Sequence, residues 1–308
     1  MDQIKRINYN LIKDKFVGTK IELYNLSDIK ILNFLHKFCN IDFLDIDEIR
    51  QTKEKVEKIL KQCEFNNIKI ICIDDEKYPK LLKNINKFPF VLYYKGNFDA
   101  LLNKTKIAVI GTRNPTNYGI LMSNHIGQKL AEKDVVVVSG LAVGCDANAH
   151  KGCIEANGVT VAIMPIGLDK IVPKENEDLA NLILEKNGCL ISEYPPGSRV
   201  FRSNYIDRNR IQSGLSEGII IVETAIKGGT MHTARFAQKE DRNIGIFLKE
   251  SDKSFNIGGQ DILLNKKIEK KQSIISFEEL IRFIEKCKSY KVEKSYQMDF
   301  LDDNYKEL

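Results

Sequence analysis

The chain has no tryptophan, only four histidines, and seven cysteines of which no two stand in a Cys-x-x-Cys pair. His36, His125, His150 and His232 are spread so widely that no two sit at metal-ligand spacing, so no metal site is expected. An odd number of scattered cysteines argues for reduced thiols and a cytosolic setting. No apolar run approaches the roughly 20 residues that span a bilayer, and the opening Met-Asp-Gln-Ile-Lys-Arg lacks the apolar centre of a signal peptide. A cytoplasmic protein with no membrane contact is expected. No Ser-His-Asp or Cys-His arrangement emerges, and Lys227-Gly228-Gly229-Thr230 is half of a phosphate loop without the full Gly-x-x-x-x-Gly-Lys-Ser/Thr pattern. Neither catalytic residues nor a cofactor are therefore expected.

What is present is an α/β pattern. At 308 residues with 43% hydrophobic content, the chain supports one sizeable domain and an accessory one. Residues 1–65 read as a helical module, with Ile31, Leu32, Leu35 and Phe38 on one face and Val56, Ile59 and Leu60 on another. Short strands at 68–73 and 90–94 lead into the main region. From Lys106, strands at 107–110, 135–138, 159–164, 189–191, 219–222 and 244–247 are apolar on both faces. Helical patterns at 118–132, 145–157, 175–186 and 232–240 fill most of the gaps. Such alternation means an open, mostly parallel sheet covered on both sides, with ligands at the carboxyl ends of its strands. Residues 249–271 read as a polar stretch, 277–287 as one more helix, and 289–308 as a charged tail, which leaves the main domain at 66–288. The abundance of lysine, asparagine and isoleucine is what AT-rich coding produces, and the net charge of +5 carries little weight.

Glycines fall where the strands end. Gly111-Thr112-Arg113 follows the first strand of the main region, Ser139-Gly140 the second, and Gly228-Gly229-Thr230 opens the last helix. Their backbone amides, with Arg113, are read as an anion cradle. Asp146 and His150 lie four residues apart at a helix start, where a structural hydrogen bond between them is expected. Arg199, Phe201, Arg202, Tyr205 and Arg208-Asn209-Arg210 crowd one segment leading into a helix. Charge and rings together suit single-stranded nucleic acid. The competing reading, with the rings in the core and the arginines paired to local acids, stands level with it.

Taken in order, these segments resemble the DNA-processing protein A family (DprA, also called Smf). The matching pieces are Ala108-Val-Ile-Gly-Thr-Arg113, Val138-Ser-Gly-Leu-Ala142 with Asp146 and His150, Gly167-Leu-Asp169, Ser192-Glu-Tyr-Pro-Pro-Gly197, Arg208-Asn-Arg-Ile211 and Gly228-Gly-Thr230. Asp75-Glu-Lys-Tyr-Pro79 and Leu92-Tyr-Tyr-Lys-Gly96 extend the likeness upstream. The resemblance implies an extended Rossmann-like, doubly wound domain that binds single-stranded DNA, forms a homodimer and hands the strand to the RecA recombinase. It places Gly111, Thr112, Arg113, Ser139, Gly140, Arg208, Asn209, Arg210, Gly229 and Thr230 at the DNA, with Tyr205 as the base-stacking ring. The family's frequent helical first domain suits residues 1–65, whereas too few residues follow Ser289 for its winged helix. The chain departs from the family pattern at Leu248-Lys-Glu-Ser251, where a Pro-Gly turn is usual, and at Cys145, where an aliphatic residue is usual.

Two functions compete. A non-enzymatic binder of single-stranded DNA predicts affinity that falls with salt and little preference among sequences. A nucleotide-derivative-binding or phosphoribohydrolase-like enzyme on a related fold shares the glycine turns, but Thr230 is followed by Met231-His232-Thr233-Ala234, with no acid in reach.

Overall fold

The computed structural model describes residues 57–290 apart from 74, 86, 90, 227, 249–257 and 266–269. The chain divides into two units, and the one from Asn66 to Lys291 carries the sheet. Residues 57–65 are helical; the rest of the module expected over 1–65, and nearly all of the tail expected from 289, lie outside the described residues.

Among the described residues nine strands form the sheet: β1 (Lys69–Cys72), β2 (Val91–Gly96), β3 (Lys106–Ile110), β4 (Val136–Ser139), β5 (Thr160–Met164), β6 (Cys189–Ser192), β7 (Gly218–Ile221), β8 (Asn243–Phe247) and β9 (Lys271–Ile274). Their order is β1-β2-β6-β5-β4-β3-β7-β8-β9. Strands β3 to β9 are parallel throughout, with Ala108 opposite Val138 on one side of β3 and Ile110 opposite Ile221 on the other. The two early strands join as an antiparallel extension at β6.

The helices that cover the sheet are α1 (Lys80–Lys83), a single turn, and the longer α2 (Asn117–Glu132), α3 (Cys145–Glu155), α4 (Glu177–Glu185), α5 (Arg202–Leu215), α6 (Thr230–Lys239), α7 (Gly258–Asn265) and α8 (Phe277–Lys288). Alternate strand residues feed two separate cores, as the period of two requires. Ile107, Val109, Val137 and Ile220 pack with Ile126 of α2, Ala149 of α3 and Phe283 of α8. Ala108, Ile110, Val138 and Ile219 pack on the opposite face with Ile211 of α5, Ala234 of α6 and Leu263 of α7. This is the doubly wound sheet that the continuous apolar strands imply.

The asparagines have a structural use beyond coding bias. Helices α2, α3, α4 and α6 each end on an Asn or Asp in the left-handed region: Asp134, Asn157, Asn187 and Asp241, with φ between 56° and 63°. The next amide then returns to the last turn, as in Val135 to Leu130, Gly158 to Cys153, Gly188 to Ile183 and Arg242 to Ala237, at 2.8 to 2.9 Å. The short polar side chains tolerate this conformation where glycine is usual, and each turn leads straight into a strand.

Three elements escape the sequence pattern. Strand β9 lies within and just beyond the stretch read as polar, because Lys-Gln-Ser-Ile at a sheet edge needs only one buried apolar residue. Helix α7 hides behind Gly258-Gly259, which signal a break. Helix α5 is obscured because the side it buries is largely polar, including Asn204, Arg208, Asn209, Arg210 and Gln212.

Beneath α5, Ser213 donates a hydrogen bond to Glu240, whose carboxyl burial pushes up to about 7. A raised folded-state value means that stability is lost as pH climbs from about 4.5 to about 7. Denaturant unfolding at pH 5 and pH 8 is expected to show wild type losing roughly 2 kcal/mol that Glu240→Gln does not lose.

Candidate nucleic-acid interface

The chain builds β4, β5 and β6 outward on one side of β3, then returns with β7 on the other. Such a reversal leaves a crevice at the carboxyl ends of the central strands. Here it is a cleft of about 370 Å³, walled by Gly111–Arg113 after β3, by α5, and by the Gly228–Thr230 turn after β7. The Thr112 amide donates to the Glu223 carbonyl at 2.8 Å, tying the two strand ends together. The Glu223 carboxylate accepts from the Thr116 amide at 3.0 Å and caps the positive end of α2.

At the bottom of the cleft Asp146 faces Arg208. Helix α3 starts after Gly144, whose φ of +87° and closeness to the Thr112 carbonyl, 2.5 Å from where a Cβ would stand, exclude a side chain. Asp146 in the first turn accepts from the Gly140 amide at 3.0 Å and lies 4.0 Å from Arg208 Nη1. The guanidinium presses on Gly140 so closely that a Cβ there would stand 1.4 Å from Nη1. The next residue, Leu141, is buried with φ +56°, a strained conformation for its type, and the Asn176 amide nitrogen holds its carbonyl at 2.8 Å.

Burial pushes the Asp146 carboxyl up, opposed by Arg208 and by the Gly140 and Gly111 amides. Burial likewise pushes the Arg208 guanidinium down, opposed by Asp146. The guanidinium remains a cation, since its ordinary value lies far above neutrality. Its Nε and Nη1 are buried without hydrogen-bond partners.

Several expectations need correction. The Gly140 amide is not open to an anion, because the Asp146 carboxylate already takes it. Ser139 donates to the Val109 carbonyl at 2.6 Å and, like Gly140, does not line the cleft. Arg210 points elsewhere, to Glu193 at 2.5 Å and to the Lys87 and Asp207 carbonyls at 2.8 and 2.7 Å. His150 does not bond Asp146. Its Nδ1 stands 2.6 Å from Thr160 Oγ1, whose own proton goes to the Val137 carbonyl, so Nδ1 carries the hydrogen. Burial, and then the Arg208 charge, push this imidazole down to about 3, so it is neutral. Asp146 lines the same cleft as the Gly228–Thr230 turn, with its carboxylate held by Arg208 and the Gly140 amide.

The walls gather the other expected residues. Gly111, Thr112, Arg113, Tyr205, Arg208, Asn209, Gly229 and Thr230 all line the cleft. The exposed Arg113 guanidinium sits 5.2 Å from the Tyr205 ring centre, a cation–π distance. Asn209 Nδ2 donates to the Gly229 carbonyl at 3.4 Å, joining α5 to the turn. Helix α6 begins at Thr230 with no side-chain cap, and a Cβ on Gly229 would meet nothing within 4 Å. Phe201, at 60% exposure, lies outside the core and is not in the cleft lining. Sequence reasoning missed Gln212, Thr224 and Thr233 in the lining. Helical spacing was the available signal for Gln212, four residues after Arg208.

The model of the DNA recombination-mediator protein A family matches residues 69–283. The chain belongs to that family. It is 38% identical over 190 residues to protein Smf of Synechocystis, covering 61% of this chain and 48% of that protein. It is 38% identical over 198 residues to DNA processing protein DprA of Bacillus subtilis, covering 64% and 66% respectively. The chain thus spans from about half to about two thirds of these two relatives. Among solved structures, DNA processing protein A from Helicobacter pylori, described for its unique single-stranded DNA binding mode, superposes with a TM-score of 0.63. It shares 27% identity, covering 72% of this chain and 98% of that one.

In this recombination-mediator fold, the cap on α2 makes a testable demand. Alanine in place of a helical glycine ordinarily stabilises by roughly 1 kcal/mol. A Cβ on Gly119 would stand 2.1 Å from Glu223 Oε2, so Gly119→Ala is expected to lower the thermal unfolding midpoint instead.

Proposed function

We propose that the cleft at the ends of β3 and β7 binds single-stranded DNA, one nucleotide entering it while the backbone tracks along its rim. The observation that carries this reading is the meeting, in one cleft, of the Tyr205 ring under the Arg113 guanidinium with the start of α6, which has no side-chain cap. A ring stacks on any base, a guanidinium pairs with phosphate, and a helix N-terminus favours negative charge. Open space at Gly229 lets a sugar-phosphate chain come close to the backbone. The H. pylori relative's described binding of single-stranded DNA supports the same assignment.

We propose as the finer role the transfer of the bound strand to RecA, by a homodimer in the cytoplasm; the family's description as a recombination mediator supports the transfer. The helical module at 1–65 and the tail at 289–308 are proposed as accessory parts flanking this domain. Asp146 does not favour a hydrolytic reading, because its carboxylate is engaged by Arg208 and by backbone amides.

Arg113 is the residue to test, since it is exposed and its removal leaves the core untouched. Removing Arg208 would strand Asp146 in the interior and mix folding with binding. Arg113→Ala is expected to weaken binding of a single-stranded oligomer roughly tenfold or more, the worth of a charged hydrogen bond. The slope of log affinity against log salt should fall by about 0.7 for each phosphate that the variant no longer neutralises. Unchanged affinity and slope, by fluorescence anisotropy at several salt concentrations, would refute the assignment.

A further inference from the structure

The cleft contains a residue that charge and stacking do not use. Gln212 lies one turn beyond Arg208 on α5, lines the cleft at 1% exposure, and has its amide Nε2 buried without a hydrogen-bond partner. Arg208 Nε, on the same helix face, is likewise unpaired. Buried donors without acceptors are costly, so this floor is incomplete as it stands. Among the described residues the one carboxylate in the lining, Asp146, has its oxygens engaged by the Gly140 and Gly111 amides.

What completes the floor is a flat group bearing acceptors. A phosphate suits it poorly, because Asp146 already offsets the Arg208 charge and Gln212 is neutral. A base suits it well, since the walls beside these donors are the Tyr205 ring and the aliphatic side chains of Ile110 and Ile206. Resting on the single-stranded DNA reading above, we propose that the cleft takes a base edge-on to Gln212, and that this amide donor makes it favour keto bases. Thymine and guanine place a carbonyl where cytosine and adenine place an amine. With the Gln212 amide turned as it is, Nε2 towards the base, an amine there would set donor against donor with both groups desolvated. The sequence-tolerant binding that stacking supplies is thereby biased at this one subsite.

Cytosine and thymine stack alike, so homopolymers of the two pyrimidines isolate the carbonyl. Fluorescence anisotropy of the full chain at fixed salt, with oligomers about 15 nucleotides long, is expected to show deoxythymidine and deoxyuridine binding alike. Each should bind about tenfold more tightly than deoxycytidine, a difference of about 1.4 kcal/mol. Gln212→Leu should bring the ratio to about one, and Gln212→Glu, which accepts instead of donating, should turn the preference towards deoxycytidine. Equal affinities in wild type, or a preference for deoxycytidine, would overturn the proposal and leave single-stranded DNA binding standing. So would a thymidine preference that survives Gln212→Leu with an unchanged melting midpoint. Failure to bind any of the three removes both readings. If a variant does not fold, wild type alone decides, because thymidine binding more tightly than both uridine and cytidine would assign the preference to the methyl group and refute the role of the carbonyl.

Discussion

The site is arranged around one buried guanidinium. Arg208 reaches the carboxyl ends of β3 and β4 because Gly140 has no side chain, and it is met there by Asp146 from the first turn of α3. A pair held 4.0 Å apart in the interior gains little stability over the cost of desolvating both partners. What it does is positional: it joins α5, α3 and the β4 turn at one point. The strained backbone at Leu141 belongs to the same junction, where packing holds a conformation that an isolated loop would abandon.

The amides at the strand ends therefore do not act as a bare anion cradle. Asp146 occupies that role towards Gly140, and in the proposed reading the phosphate is held at the rim, by Arg113 and the start of α6. The floor is left with the Arg208–Asp146 pair and the Gln212 amide. In the proposed reading the rim holds a nucleic-acid backbone and the partly aromatic interior accommodates a base. To this space of about 370 Å³ helix α5 supplies Tyr205, Arg208 and Gln212 at helical spacing along one face.

The continuous apolar strand runs let the sheet be anticipated closely, and the way the helices end agrees with its boundaries. Four of them stop at an Asn or Asp and pass within one or two residues into a strand, so the boundaries are written in local chemistry. Elements without an apolar pattern were not legible. Helix α5 buries arginines and a glutamine where an apolar stripe is usual, and β9 is an edge strand with one buried apolar residue.

The sequence by itself determined the class of fold, the approximate limits of β3 to β8, and some of the residues that line the cleft, though not Gln212, Thr224 or Thr233. These depend on periodicity and turn chemistry, which act over a few residues at a time. Only the tertiary structure decided which of the candidate residues meet. Arg208 and Arg210 are two residues apart on a helix and so diverge by about 200°, which sends one to the cleft and the other to Glu193. His150 and Asp146 share a helix yet find different partners, because the strands packed beside them present Thr160 to one and the Gly140 amide to the other. Spacing along a chain fixes the direction of a side chain, but the acceptor waiting in that direction comes from another part of the fold.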